Sequence, residues 1–144
     1  MRRTWQSGVA MWGLLAMLAA VLAGCGEPKA DAKLLELTLD HYASVMRFGS
    51  IGQAVSFLDP EVTKDQPLSR LEMERYEQVE FSSYRAQPVV MVPPDRARQV
   101  VQLSITNRHT QIVRELVDVQ EWRFDAAAKR WWLVSGLPEI TQAK

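Results

Sequence analysis

Cysteine, histidine and surplus charge are all scarce in this chain. Its 144 residues contain one cysteine and two histidines, and 17 Lys and Arg balance 17 Asp and Glu. A single thiol cannot form an intramolecular disulfide, and the small number of cysteine and histidine side chains argues against a metal site. The zero net charge argues against an electrostatic binder of nucleic acid. We therefore expect no metal, no cofactor and no nucleic-acid partner.

Charge is also missing from a long segment near the amino terminus. After Arg2 and Arg3, residues 9–21 (VAMWGLLAMLAAV) are almost entirely apolar, and the small residues Ala23 and Gly24 follow. A basic start, an apolar middle and small residues before a cleavage point are the parts of a secretory signal peptide. The sequence therefore predicts an exported protein.

The only cysteine of the chain ends that segment. The tetrapeptide Leu22-Ala23-Gly24-Cys25 resembles the lipobox of bacterial lipoproteins. The resemblance implies transfer of diacylglycerol to the Cys25 sulfur, cleavage between Gly24 and Cys25, and usually acylation of the new amino group. An uncleaved transmembrane helix, which needs about 20 apolar residues, and an ordinary secretory signal with an incidental cysteine are the alternatives.

The residue after the cysteine bears on the membrane to which such a lipoprotein is sent. In lipoproteins of Gram-negative bacteria, an aspartate at that position commonly signals retention in the inner membrane, and this chain has Gly26 there. We therefore expect a protein of the cell envelope that is lipid-anchored and faces the periplasm, with the outer membrane favoured over the inner membrane.

The lipobox divides the chain into three parts. We assign residues 1–24 to the signal peptide, 25–32 to a lipidated tether and 33–144 to a single domain. Removing 24 of the 144 residues leaves 120, which is enough for one domain that buries most of its apolar surface. Because the tether is short, the domain is expected to lie close to the membrane.

The first part of the domain has helical periodicity. From Lys33, apolar residues recur at spacings of three and four, which is typical of an amphipathic helix, and the stripe consists of Leu35, Leu39, Tyr42 and Met46. Asp31 is the predicted N-cap of this helix, and Gly49 is its predicted stop.

Two shorter helices are expected next. One is predicted at residues 50–58. The other is predicted at residues 69–78, because Ser69 and Glu72 have the spacing of a capping box. The polar residues 61–67 between them are expected to form a turn.

Beyond residue 79 the apolar period changes from helical to two. The expected strands are one at residues 79–92 that is interrupted at Pro88, and three more at 101–106, 112–124 and 130–135. Short connections between them predict an antiparallel meander of about four strands. The apolar residues of the third strand change parity, so we expect a bulge at residues 118–120 that bends it. Partial cover of both faces is the alternative.

Helices followed by a curved antiparallel sheet define an α+β domain. This order, together with the segments 121–124 (EWRF) and 130–138 (RWWLVSGLP), resembles the NTF2-like (SnoaL-like) superfamily, many of whose members end in a Trp-rich hairpin. The resemblance covers residues 34–138. A cystatin-like helix wrapped by a meander is the alternative.

The NTF2-like resemblance implies a cone-shaped pocket in which enzymes of the family hold Asp, His and Tyr for proton transfer. Asp40, His41 and Tyr42 are consecutive on the first helix and therefore point about 100° apart, so all three cannot face one pocket. Only Tyr42 lies on the apolar stripe, and His109 falls in a predicted turn. We therefore expect no catalytic residue and no enzyme activity, with an envelope enzyme that uses the cone as the alternative.

The tryptophans of the last hairpin are more informative. Trp131 and Trp132 are adjacent on a strand, so they point to opposite faces. One joins the core, and the other is covered by a neighbouring helix or loop, lines a pocket, or stands exposed as an anchor for a partner. Tyr42 and Trp122 complete the set of candidate pocket or interaction residues.

These features favour a non-enzymatic protein that binds a partner protein or a small apolar ligand near the membrane. A lipid-handling accessory is a further alternative. The interior of the domain distinguishes these hypotheses. A deep cone with a buried carboxylate favours an enzyme, a long apolar cavity favours a lipid, and a filled core favours a protein partner.

Overall fold

The computed structural model describes residues 28–141, and the surroundings of side chains from residue 31 onward. The predicted cleavage and lipidation residues, Gly24 and Cys25, lie outside this range. Within it the elements are α1 (Pro28–Phe48), α2 (Ile51–Val55), α3 (Pro60–Asp65), α4 (Arg70–Glu77), β1 (Val79–Ala86), β2 (Val90–Val92), β3 (Arg96–Asn107), β4 (Val113–Asp125) and β5 (Arg130–Leu133). None of the helices in residues 28–141 has the length and apolar character needed to cross a bilayer.

Helix α1 begins at Pro28, five positions before the predicted start at Lys33. It therefore includes residues 28–32, which the sequence pattern assigns to the tether. Proline is favoured in the first turn because its φ is already helical and its missing N–H is not needed there. The prediction that Asp31 is the N-cap is therefore wrong. Asp31 lies inside the first turn, where its negative charge complements the helix dipole. The helix ends at Phe48, as the predicted stop at Gly49 requires.

Capping boxes begin two of the short helices. Ser50 accepts a hydrogen bond from the backbone of Gln53, whose side chain accepts one from the backbone of Ser50. Ser69 and Glu72 make the same reciprocal pair at the start of α4, which confirms the capping box predicted there. Helix α2 is shorter than the predicted range of 50–58.

Helix α3 contradicts the turn predicted at residues 61–67. An Asp-Pro pair after a helical pattern is typical of a helix end, and Asp59-Pro60 directly follows the helix predicted at residues 50–58. In the structure Asp59 is an N-cap, whose side chain accepts a hydrogen bond from the backbone of Glu61, and Pro60 occupies the first turn. Asp59 and Pro60 therefore begin a helix, whereas α2 ends four residues before Asp59, at Val55.

The sheet is an antiparallel meander. Strands β1, β3, β4 and β5 are neighbours in that order, and β2 pairs with the first part of β3. Strands β1 and β2 both pair with β3, each with a different part of it. Together they form one edge of the sheet, which is interrupted around Pro88. This arrangement confirms the prediction of an α+β fold with about four antiparallel strands.

The predicted bulge at residues 118–120 is wrong. Strand β4 pairs with β3 without a break from Val113 to Arg123, and its even-numbered residues face the core throughout. The bulge lies instead in β1, between Phe81 and Ser83. The apolar residues of β4 change parity because Val113 and its odd-numbered neighbours are exposed on the outer face.

The sheet curls around α1. This helix contacts β1 and β5, the first and last strands of the main path. The outer edge of β5 is covered by the segment after α2, where Asp59 N donates to Leu133 O at 2.9 Å and Leu133 N donates to Phe57 O at 2.8 Å. One face of the sheet and one face of α1 therefore enclose the core.

Candidate functional site

Aromatic rings fill the centre of the curled sheet. Tyr42 of α1 lies edge-on against Phe57 and against Trp122, in each case with 5.3 Å between ring centroids. Trp131 is also buried, and its Nε1 donates to Asp31 O at 3.0 Å. The predicted pocket residues Tyr42, Trp122 and Trp131 are therefore brought together, but as members of the core.

A polar cluster lies in the same interior. Asp118 and Gln120 of β4 are both buried, and Gln120 Nε2 lies 2.8 Å from Asp118 Oδ2. Tyr84 of β1 reaches the same amide, with its Oη 3.0 Å from Gln120 Nε2. Burial raises the pKa of Asp118 above its usual value, although the hydrogen bond from Gln120 opposes the shift. Burial likewise raises the pKa of Tyr84 to about 12.

Two polar atoms beside this cluster have no hydrogen-bond partner among the described residues. They are Tyr42 Oη and Trp122 Nε1, both fully buried. Burial, and then the nearby Asp118, raise the pKa of Tyr42. Because unpaired buried donors cost free energy, this interior is less favourable than an apolar core of the same shape.

The second tryptophan of the last hairpin lies on the outer face. Trp132 is half-buried, and the Arg130 guanidinium stacks over its ring at 4.0 Å. Its Nε1 is 3.4 Å from Asp125 Oδ2. Part of the ring is therefore covered by Arg130, and part of it remains accessible.

A separate pocket of about 500 Å³ lies at the carboxyl end of α1. Its apolar lining comes from four elements and includes Val45, Met46, Ile51, Ala54, Met73, Val79 and Phe81. Tyr76 also lines it, and its hydroxyl donates to Pro138 O at 2.9 Å. Burial raises the pKa of Tyr76, so this phenol stays neutral.

Charged residues surround the mouth of this pocket. Arg47, Glu77, Glu80 and Arg108 belong to the lining and are exposed. Arg108 lies 3.9 Å from Glu80, in a pair that is more than half exposed and therefore adds little stability. Two cations and two anions leave the rim without net charge.

The remaining sequence candidates do not converge. Asp40 and His41 are exposed on α1, where His41 packs edge-on against Phe57. His109 is exposed in the β3–β4 turn. In residues 28–141 no group of three or more His, Cys, Asp or Glu side chains is placed to hold a metal ion.

Asp118, Gln120 and Tyr84 are the residues that sequence analysis missed. Polar residues in a strand predict solvent exposure. In β4 the neighbouring valines, Val117 and Val119, indicated that the odd-numbered face is buried, whereas Asp118 and Gln120 are the buried residues. The signal in the sequence that could have revealed Tyr84 is its spacing from Phe81. These two aromatic residues are three positions apart, and both can face inward only if the strand contains the extra residue of a bulge.

Comparison of the chain with protein-family models, with curated proteins and with solved structures finds no match.

Proposed function

We propose that this chain is a lipid-anchored, non-enzymatic protein of the bacterial cell envelope whose domain binds a small apolar ligand or a partner protein. The lipobox supports the anchor, and Gly26 favours the outer membrane with the domain facing the periplasm. The helices and curled sheet are consistent with an NTF2-like arrangement, or with a cystatin-like one.

The pocket at the end of α1 is the observation that carries the binding function. Its volume of about 500 Å³ lies within the range of small-molecule sites, which are mostly apolar with a few polar groups that fix orientation. Because the rim carries charges of both signs, we infer an apolar ligand that has a neutral or zwitterionic end. A pocket of this volume suits one small ligand. Lipid handling requires a long cavity and is therefore less well supported.

The anchor is tested by replacing Cys25 with alanine. Loss of the sulfur removes the acceptor of diacylglycerol, so the variant is expected to lose acyl labelling and to leave the membrane fraction. The measurements are acyl-chain labelling and fractionation, with Gly26→Ala as a control that leaves the lipobox intact. A Cys25→Ala protein that keeps residues 1–24 and stays in the membrane would support the transmembrane alternative instead.

The pocket is tested by placing a charge inside it. Met73→Arg puts a cation among the apolar lining residues, and Leu71→Arg puts the same side chain on the same helix at a position that is 56% exposed and outside the lining. With N-phenyl-1-naphthylamine as the probe, Met73→Arg is expected to abolish the increase in fluorescence, whereas Leu71→Arg leaves it unchanged. Equal loss in both variants, or in neither, would contradict this assignment.

The polar cluster favours a second candidate, an enzyme that uses Asp118. A buried carboxylate with a raised pKa is suited to proton transfer. Asp118 is not among the residues that line the pocket at the end of α1, and in the described part of the chain neither histidine is hydrogen-bonded to it. Binding without catalysis is therefore the better supported function.

A further inference from the structure

The direction of α1 fixes which end of the domain is close to the proposed anchor. Pro28 follows Cys25 by three positions, which span at most about 11 Å of extended chain. The first turn of α1 lies against the start of β5, because Trp131 Nε1 donates to Asp31 O. The amino end of α1 therefore lies at the end of the sheet where β5 begins.

The β2–β3 hairpin turns at the same end of the sheet. Strand β4 ends beside the start of β5, with Phe124 opposite Trp131. Phe124 N also donates to Asp95 O at 2.7 Å, immediately before β3 begins. The start of α1, the β4–β5 turn and the β2–β3 turn therefore all lie at the same end of the domain.

That hairpin exposes an apolar segment. We call residues 90–94 (Val90-Met91-Val92-Pro93-Pro94) the hairpin tip. All five of its residues are exposed, and the exposed fractions of Val90, Met91 and Val92 are 63%, 48% and 42%. A run of exposed apolar residues on an edge strand is a liability for a protein that remains in water.

Two arginines flank the hairpin tip on the outer face of the sheet. Val92 is paired with Arg96 and Val90 with Arg98, so in each pair a valine and an arginine share the outer face of the sheet. Both arginines are exposed. Acidic residues at the same end are Asp95 and Asp125, which are half-buried, and Glu121, which is opposite Arg98; Asp125 is paired with Arg130. No salt bridge joins Arg98 to Glu121 in the described chain.

We propose that the hairpin tip inserts into the interfacial region of the anionic membrane that holds the lipid anchor, with Arg96 and Arg98 at the lipid phosphates. This inference rests on the proposed anchor at Cys25. Exposed apolar side chains next to basic ones match the chemistry of that interface, and two membrane signals together hold a protein more firmly than one. The domain then has a fixed orientation, with the amino end of α1 toward the bilayer.

The single cysteine of the chain makes a direct test possible. A lipidated Cys25 leaves an introduced cysteine as the only free thiol, so Val92→Cys and, separately, Ile112→Cys can each be labelled with the environment-sensitive dye NBD. Ile112 is a matched control because it is apolar and 58% exposed, but it lies beyond the far end of β3, next to Asn107. The intact lipoprotein is reconstituted into vesicles of phosphatidylethanolamine and phosphatidylglycerol.

At position 92 we expect a blue-shifted emission that brominated lipid quenches, and at position 112 neither effect. Replacing Arg96 and Arg98 with glutamate is expected to reduce the shift at position 92. If the probe at position 92 is as exposed to water as the probe at position 112, the inference is overturned. That result is also the one expected if the hairpin tip binds a protein partner instead of the membrane.

The mass of the protein in the same sample shows separately whether the lipid anchor is present. A mass without the lipid overturns the proposed function, whereas a lipidated protein with a water-exposed probe overturns only the insertion of the hairpin tip.

Discussion

Replacing Trp131 with alanine is expected to lower the free energy of unfolding by about 3–5 kcal/mol, whereas Trp132→Ala is expected to lower it by about 1 kcal/mol or less. The two residues are adjacent, but Trp131 is 1% exposed and contacts Phe124 with ring centroids 5.2 Å apart. Truncating it opens a cavity in the core. Truncating Trp132 removes a half-buried ring and its stacking with Arg130. Urea titration of the purified lipoprotein in detergent solution measures both changes.

The same pair of variants tests the last hairpin as an interaction surface. If Trp132 is an anchor, its alanine variant keeps the fold and loses envelope partners in co-purification, while wild-type protein prepared in parallel retains them. Equal destabilisation of the two variants would mean that both rings are structural. The hairpin would then be excluded as the binding surface, and the pocket at the end of α1 would remain.

The helical part of the fold was largely predictable because local rules govern it. The stripe of α1 is buried as its periodicity predicts, with Leu35, Tyr42 and Met46 all inside. The capping box at Ser69 needs only residues within one turn. Helix α3 was missed because a proline after an aspartate is compatible with both an end and a start. The sequence pattern alone does not choose between them.

The two faces of β4 were less predictable because tertiary contacts decide them. Val117 is 64% exposed on the outer face, whereas Gln120 is fully buried. A pattern of apolar and polar residues predicts the opposite. Gln120 is tolerated inside because its amide bonds to Asp118 and to Tyr84, which lies on another strand. Such a partner cannot be found from spacing along one strand.

The proposed sites lie at opposite ends of the domain. Helix α1 rises by about 25 Å between its first residue and Val45, at about 1.5 Å per residue. If the hairpin tip and the amino end of α1 face the bilayer, the pocket opens about that far from it, toward the periplasm. A ligand would then enter from the aqueous side, and the two proposals do not compete for the same surface.

A second large effect is expected at the junction between the helices and the sheet. Asp59 is 2% exposed, and its Oδ2 accepts hydrogen bonds from Nε and Nη2 of Arg123, the first at 3.0 Å. Its Oδ1 accepts from Glu61 N at 3.0 Å, at the start of α3. The hydrogen bond to Asp59 raises the pKa of Arg123, and a guanidinium is charged at any pH at which the protein is folded. One buried carboxylate thus joins α3 to β4.

Arg123→Ala is therefore expected to lower the free energy of unfolding by about 3–5 kcal/mol, because it leaves a buried carboxylate without its cation. Arg96 is the matched control, since it is exposed and directly opposite Arg123 in the register of β3 and β4. Arg96→Ala is expected to change stability by about 0.5 kcal/mol or less. Adding Asp59→Asn to Arg123→Ala should recover part of the loss, because the uncompensated charge is then removed. Urea titrations of the four proteins measure these differences, and equal effects of the two arginine substitutions would show that the ion pair does not hold α3 to the sheet.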